Sequence, residues 1–221
     1  VCRRGETTAI IGGTGSGKST VASLILRFHD VTDGSITLNG TDIRDMTQQY
    51  LRDHLGYVQQ KAWLFSGTIA DNLRYSRPKA SADELMHAAG VAQAGDFIRS
   101  LPDGLHAYVA QGGTNFSGGQ KQRLSIARAL VKKPELYIFD DSFSALDFKT
   151  DAALRKALAK ETGDAAVLII AQRVSSIRHA NQIVVLHDGR MAGIGTHEEL
   201  MATCKVYQEI YESQTKEAKE A

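Results

Sequence analysis

Apolar positions fall along the chain in two ways. Short apolar runs at Thr8–Ile11, Leu55–Val58, Leu136–Phe139, Ala166–Ile170 and Ile183–Leu186 have the length and composition of strands. Ile36–Leu38 meets Asn39-Gly40, and a run ending at Leu186 meets Asp188-Gly189 before Met191–Ile194, so both read as tight turns between strands. Helical spacing takes over elsewhere. It is expected from Lys18 to about Phe28, through most of Trp63–Val131, and in a last amphipathic helix opened by Thr196-His197-Glu198-Glu199. Ser81-Ala82-Asp83-Glu84 is a capping box ahead of Leu85 and Met86. The polar, glycine-rich stretch Gln111–Gly119 precedes a helix that must end before Pro134. Strands alternating with helices predict an α/β sheet. Residues 1–60 and 132–221 form its core, 61–131 an inserted helical lobe, and 214–221 a charged tail expected to fray.

Composition narrows the class. The chain has 221 residues, 43% of them hydrophobic, which supports one packed domain with a lobe. A net charge of +1 lacks the basic excess of an electrostatic nucleic-acid binder, so no nucleic-acid partner is expected. Cys2 and Cys204 stand near opposite ends with no metal-like spacing, which suits a reducing compartment better than a disulfide framework. No apolar run approaches the roughly 20 residues of a membrane span, and the first residues do not read as a signal peptide. Any membrane link must come through a partner or a segment outside this chain.

The chemistry starts at Gly12-Gly13-Thr14-Gly15-Ser16-Gly17-Lys18-Ser19, which fits G-x-x-x-x-G-K-[ST] between a strand and a helix. Glycines let the backbone curl so that several N–H groups face a phosphate, and the helix N-terminus adds a field that favours the anion. Lys18 is placed to reach the β- and γ-phosphates of ATP, Ser19 to bind Mg²⁺, and Thr20 to add a phosphate contact. A plain helix-capping turn is the bland alternative. Downstream, the strand Leu136–Phe139 ends in Asp140-Asp141, at the strand end where parallel sheets gather ligands. Asp140 would hold Mg²⁺ through its water shell and Asp141 would face an attacking water, although Asp-Asp-Ser is also ordinary turn material. A second glycine motif, Phe116-Ser117-Gly118-Gly119-Gln120, opens another helix, with Ser117 as a natural N-cap. One nucleotide cannot easily need two such helix starts.

Ser117-Gly118-Gly119-Gln120 resembles the signature motif of ABC ATPases, and the chain resembles the nucleotide-binding domain of ABC exporters over essentially its whole length. Within that resemblance Gln60 matches the Q-loop glutamine, Ser144–Asp147 the D-loop, and Leu64–Asn72 an exporter-like stretch. The resemblance implies a P-loop NTPase core with a mainly parallel sheet, an inserted α-helical signature subdomain, and Gln60 near the metal. It also implies two domains closed head to tail, each ATP held between the phosphate loop of one and the signature serine and glycines of the other. The Gln60–Asn72 region would touch the transmembrane domain of an exporter, on the cytoplasmic face of the plasma membrane.

Three departures qualify that picture. Asp141 stands where strong sites carry Glu, one methylene longer. Gln172, in Ala171-Gln172-Arg173, stands where the family usually has a histidine, and an amide does not titrate near neutral pH. Together they resemble the degenerate-site subunit of bacterial heterodimeric multidrug-type exporters, with ATP binding kept, hydrolysis slow at the chain's own site, and an intact Ser117–Gln120 lent to a different partner domain. Third, family domains begin with an antiparallel sheet bearing an adenine-stacking aromatic, and this chain starts too close to the phosphate loop to contain it.

Overall fold

The computed structural model describes residues 1–220, with side chains through residue 215. The strands are β1 (Thr7–Gly12), β2 (Thr37–Leu38), β3 (Thr41–Asp42), β4 (Leu55–Val58), β5 (Gly67–Thr68), β6 (Tyr108–Val109), β7 (Leu136–Asp140), β8 (Ala166–Ala171), β9 (Gln182–His187) and β10 (Arg190–Gly195). The α-helices are α1 (Lys18–Ile25), α2 (Gln48–Asp53), α3 (Ile69–Arg74), α4 (Ala82–Val91), α5 (Gly95–Ser100), α6 (Gly118–Lys132), α7 (Phe148–Glu161), α8 (His197–Thr203) and α9 (Lys205–Glu220). Six strands form one sheet in the order β10-β9-β1-β8-β7-β4, all parallel except β10, which runs antiparallel to β9.

Both faces of the central strands β1, β7 and β8 are covered, which is why they are nearly continuous apolar runs, while β10 at the edge is mostly exposed. On one face Ala9, Ile11, Tyr137, Phe139, Val167, Ile169, Ile183 and Val185 join the buried side chains of the helices between Leu64 and Leu158. On the other, Ile10, Ile138, Leu168 and Ile170 pack with Ala22 and Leu26 near α1 and with Ile43 and Leu51. Successive residues of one strand therefore feed opposite cores, as a period of two requires. A charged substitution at Ile11 or Ile138, both buried, would leave an unpaired charge inside one layer.

Three boundaries differ from the sequence reading. Helix α1 stops at Ile25 rather than near Phe28, because Arg27 takes a left-handed backbone (φ 52°). From there its Nη1 donates to the carbonyls of Ile43 and Met46 at 2.9 and 2.7 Å. The helical stretch 63–131 also contains a two-residue antiparallel pairing, β5 with β6. The last helix is two helices: Cys204 adopts an extended backbone at the end of α8, and α9 begins beyond it. The tail expected to fray from 214 is helical as part of α9 as far as Glu220, and residue 221 lies outside the described residues. The capping boxes at Ser81–Glu84, Ser117–Gln120 and Thr196–Glu199 all form.

Candidate functional site

Register brings the chemistry to one edge. Ile11 pairs with Ala171, Asp140 with Ile170, and Val58 with Phe139. The C-terminal ends of four adjacent parallel strands, β1, β8, β7 and β4, therefore deliver Gly12, Gln172, Asp140 with Asp141, and Gln60 to the same rim. Residues from four distant parts of the chain meet there.

The phosphate loop leaves β1 at Gly12. A Cβ on Gly12 would stand 2.3 Å from the Leu186 carbonyl oxygen and 2.5 Å from Ser16 Oγ, so glycine is required for the loop to lie against β9. Gly15 and Gly17 take positive φ (81° and 99°), a conformation that glycine adopts without strain. Gly17 N-caps α1 with no side-chain cap, which leaves the first N–H groups of the helix without a side-chain acceptor. Lys18 folds back over the loop and donates to the carbonyls of Gly12 and Gly13, each at 2.7 Å. Burial lowers its pKa, and the charges of Asp141 and Asp140 act against that shift. Ser16 is buried, and its Oγ has no hydrogen-bond partner. Gly13, Thr14, Gly15, Ser19 and Thr20 are exposed along the rim. A loop with exposed N–H groups, a cation above it and an orphan hydroxyl beneath fits a phosphate chain.

The carboxylates lie next to it. Tyr57, which the sequence reading passed over, donates its hydroxyl to Asp140 Oδ2 at 3.1 Å. Burial, with the Asp140 charge beside it, pushes the Tyr57 phenol up to about 12. Burial also raises the Asp140 carboxyl, opposed by the Tyr57 hydrogen bond and Lys18. Asp141 sits at φ 46°, and its Oδ2 accepts from Gln60 Nε2 at 2.9 Å and from Gln172 Nε2 at 3.1 Å. Burial raises Asp141 too, opposed first by the Gln60 hydrogen bond. Gln60 and Gln172, which the resemblance placed beside the nucleotide, thus both donate to one carboxylate oxygen of Asp141. Gln60 reaches the site, while the backbone carbonyl of Gln59 accepts from the buried Gln122 at 3.1 Å. Among the described residues no group of three His, Cys, Asp or Glu side chains could hold a metal. A divalent ion near Asp140 and Ser19 would therefore take most of its ligands from phosphate and water, which suits magnesium.

The second glycine motif opens α6. Ser117 Oγ accepts from Gln120 N–H at 3.2 Å, and Gln120 Oε1 accepts from Ser117 N–H at 2.9 Å. Ser117 and Gly118 are exposed, and a Cβ on Gly118 would meet nothing within 4 Å. Behind the carboxylates, a cavity of about 340 Å³ is lined by Asp141, Ser144, Asp147 and Arg155 among others, with Phe148 standing 85% exposed beside it.

A third surface follows Gln60. Leu64 is core, but Trp63 is 50% and Phe65 42% exposed, and Phe65 stacks on the exposed Tyr75 at 4.8 Å. Trp63 and Phe65 line a cavity of about 390 Å³ with Tyr57, Lys61 and Arg128, whose buried Nη1 has no partner. Of Trp63, Leu64 and Phe65, the two aromatics face outward and the leucine is buried.

The sequence profile described as "ABC transporter" matches residues 1–144. An uncharacterized ABC transporter ATP-binding protein of Mycobacterium tuberculosis is 48% identical over 216 residues, covering 96% of this chain. A Bacillus subtilis protein provisionally named a multidrug export ATP-binding/permease protein is 44% identical over 208 residues, covering 94%. The chain spans 37% and 36% of the length of these two relatives. A solved bacterial Atm1-family ABC exporter with ATP bound superposes with a TM-score of 0.93 at 39% identity, covering 96% of this chain and 37% of that one. The sheet order, the phosphate loop and the helical lobe around α6 are therefore those of a mainly parallel P-loop fold of the exporter type, and the chain belongs to the ABC transporter family.

Proposed function

We propose that the chain is the ATP-binding and ATP-hydrolysing motor domain of an ABC exporter, acting at the cytoplasmic face of the membrane. The observation that carries this is the rim itself. Lys18 caps the phosphate loop while Asp140, Asp141, Gln60 and Gln172 converge beside it. In this reading the loop Gly12–Thr20 holds the ATP phosphates. Ser19, Asp140 and Gln60 hold Mg²⁺, which would neutralise charge on the phosphates when bound. Asp141 orients the attacking water, and Gln172 donates to the γ-phosphate.

The own site is catalytically weak. Asp141 is short, and its Oδ2 is already shared by two amides, both of which would have to yield part of it to a water. A base about 1 Å out of place costs on the order of a hundredfold in rate. The open space above Gly118 and the exposed Phe148 support closure against a second nucleotide-binding domain, which this chain would supply with Ser117, Gly118, Gly119 and Gln120. That partner is a different half-transporter bearing the competent Glu and His. The exposed Trp63 and Phe65 support docking of residues 60–72 on a transmembrane domain. On this reading 61–131 is the signature subdomain and the rest the nucleotide core.

The test is repair of the site in the complete protein. Asp141→Glu with Gln172→His should raise ATP turnover by about tenfold or more. If turnover does not rise, the weak-site reading is wrong. If Asp141→Asn stops transport as fully as the matching Glu→Gln change in the partner, the asymmetry is wrong.

A further inference from the structure

The loop that carries Gln172 is held by a residue 42 positions further along the chain. Gln214, on α9, makes two backbone hydrogen bonds with one carboxamide. Its Oε1 accepts from Val174 N–H at 2.8 Å, and its Nε2 donates to the Gln172 carbonyl at 2.7 Å. The amide therefore does for residues 172–174 what a neighbouring strand would do, just where β8 has ended and the ladder no longer pairs the backbone. Arg155 of α7 holds the other end of the loop, donating to the Ser176 carbonyl. Val174 and Ile177 are buried between these two clamps.

The helix that presents Gln214 is itself fixed. Tyr207 on α9 is fully buried, and its hydroxyl meets His197 Nδ1 of α8 at 2.9 Å. Gln214 is thus a rigid arm reaching from the C-terminal helices to the catalytic rim. An amide suits this role, because the position needs a donor and an acceptor side by side in one planar group. A carboxylate offers acceptors alone, and an ammonium donors alone.

We propose that Gln214 is a positioning residue. It fixes the peptide from which the side chain at 172 reaches Asp141, and so sets where that side chain stands against the γ-phosphate. The proposal rests on the reading of Asp141 and Gln172 as site residues.

The experiment uses the complete protein and two readouts. The first is amide exchange across residues 172–175, followed by mass spectrometry. Gln214→Ala should speed exchange in that segment by up to about tenfold, as loss of one net hydrogen bond implies, with the unfolding temperature lowered by no more than about 2–4 °C per kcal/mol lost. The second is turnover in the Asp141→Glu, Gln172→His background. There Gln214→Ala should lower kcat by about tenfold while KM for ATP stays constant. Gln214→Glu, which keeps only the acceptor, should preserve slow exchange at Val174 and still lose turnover. Unchanged exchange in Gln214→Ala overturns the proposal, and so does faster exchange with full turnover. If the repaired background shows no gain, the reading of the site falls, and exchange alone then decides whether Gln214 braces the loop.

Discussion

Gly12 and Ser16 face each other across the phosphate loop, and their substitutions should move stability in opposite directions. Any side chain on Gly12 meets the Leu186 carbonyl, a backbone atom that cannot swing aside. Gly12→Ala should cost about 1–3 kcal/mol and abolish ATP binding, as seen by thermal unfolding and nucleotide titration. Ser16 instead buries a hydroxyl with no partner, which costs about 1–3 kcal/mol in the absence of ligand. Ser16→Ala should therefore raise the unfolding temperature by about 2–4 °C per kcal/mol recovered, and weaken ATP binding at the same time. An unchanged unfolding temperature would mean the hydroxyl is hydrated. At this scale the motif residues were legible because the phosphate loop is contiguous. Tyr57, Gln122 and Gln214 were not, because nothing in their own neighbourhoods signals that they face Asp140, Gln59 and Val174.

At the scale of elements, the helix starts are local chemistry. Ser117 caps α6, the helix that crosses from the signature loop into the core, so Ser117→Ala should cost about 1 kcal/mol through the cap alone. Thermal unfolding of the variant would show that loss independently of any effect on turnover. Two capping carboxylates give the helical lobe an acid sensitivity. Hydrogen bonds from Thr68 hold the Asp71 carboxyl below its usual range, and the Ser81 backbone with Arg77 does the same for Glu84. Folding therefore favours their charged forms. Their contribution is complete above the ordinary carboxylate pKa of about 4 and is lost as pH falls through the lower folded value. Amide protection in α3 and α4, taken relative to the intrinsic exchange rate at each pH, should fall on acidification below about pH 4, and Asp71→Asn with Glu84→Gln should flatten that dependence. The boxes at Ser81, Ser117 and Thr196 follow from residues three apart. The break at Cys204 does not, since the amphipathic pattern runs on through it.

For the whole molecule, ATP binding should stabilise the fold by mass action. At a hundred times Kd the gain is about 2.7 kcal/mol, and Lys18→Ala should remove the shift in unfolding temperature, because the loop's only lysine is gone. A shift that survives Lys18→Ala would place the nucleotide elsewhere.

The sequence by itself determined the strands of the six-stranded sheet, the helix starts at Ser81, Ser117 and Thr196, and the phosphate loop. Each depends on residues within one turn or one pleat of each other, where spacing and geometry are linked. Resemblance extended that to a family. Only the tertiary structure decided that Gln60 and Gln172 share one oxygen of Asp141, since that depends on strand order and register among β4, β7 and β8. It also decided that Trp63 and Phe65 face outward while Leu64 does not, and that α9 sends Gln214 back to the rim. Contacts between residues 42 or 81 positions apart carry no periodic signal, because packing sets them and spacing does not.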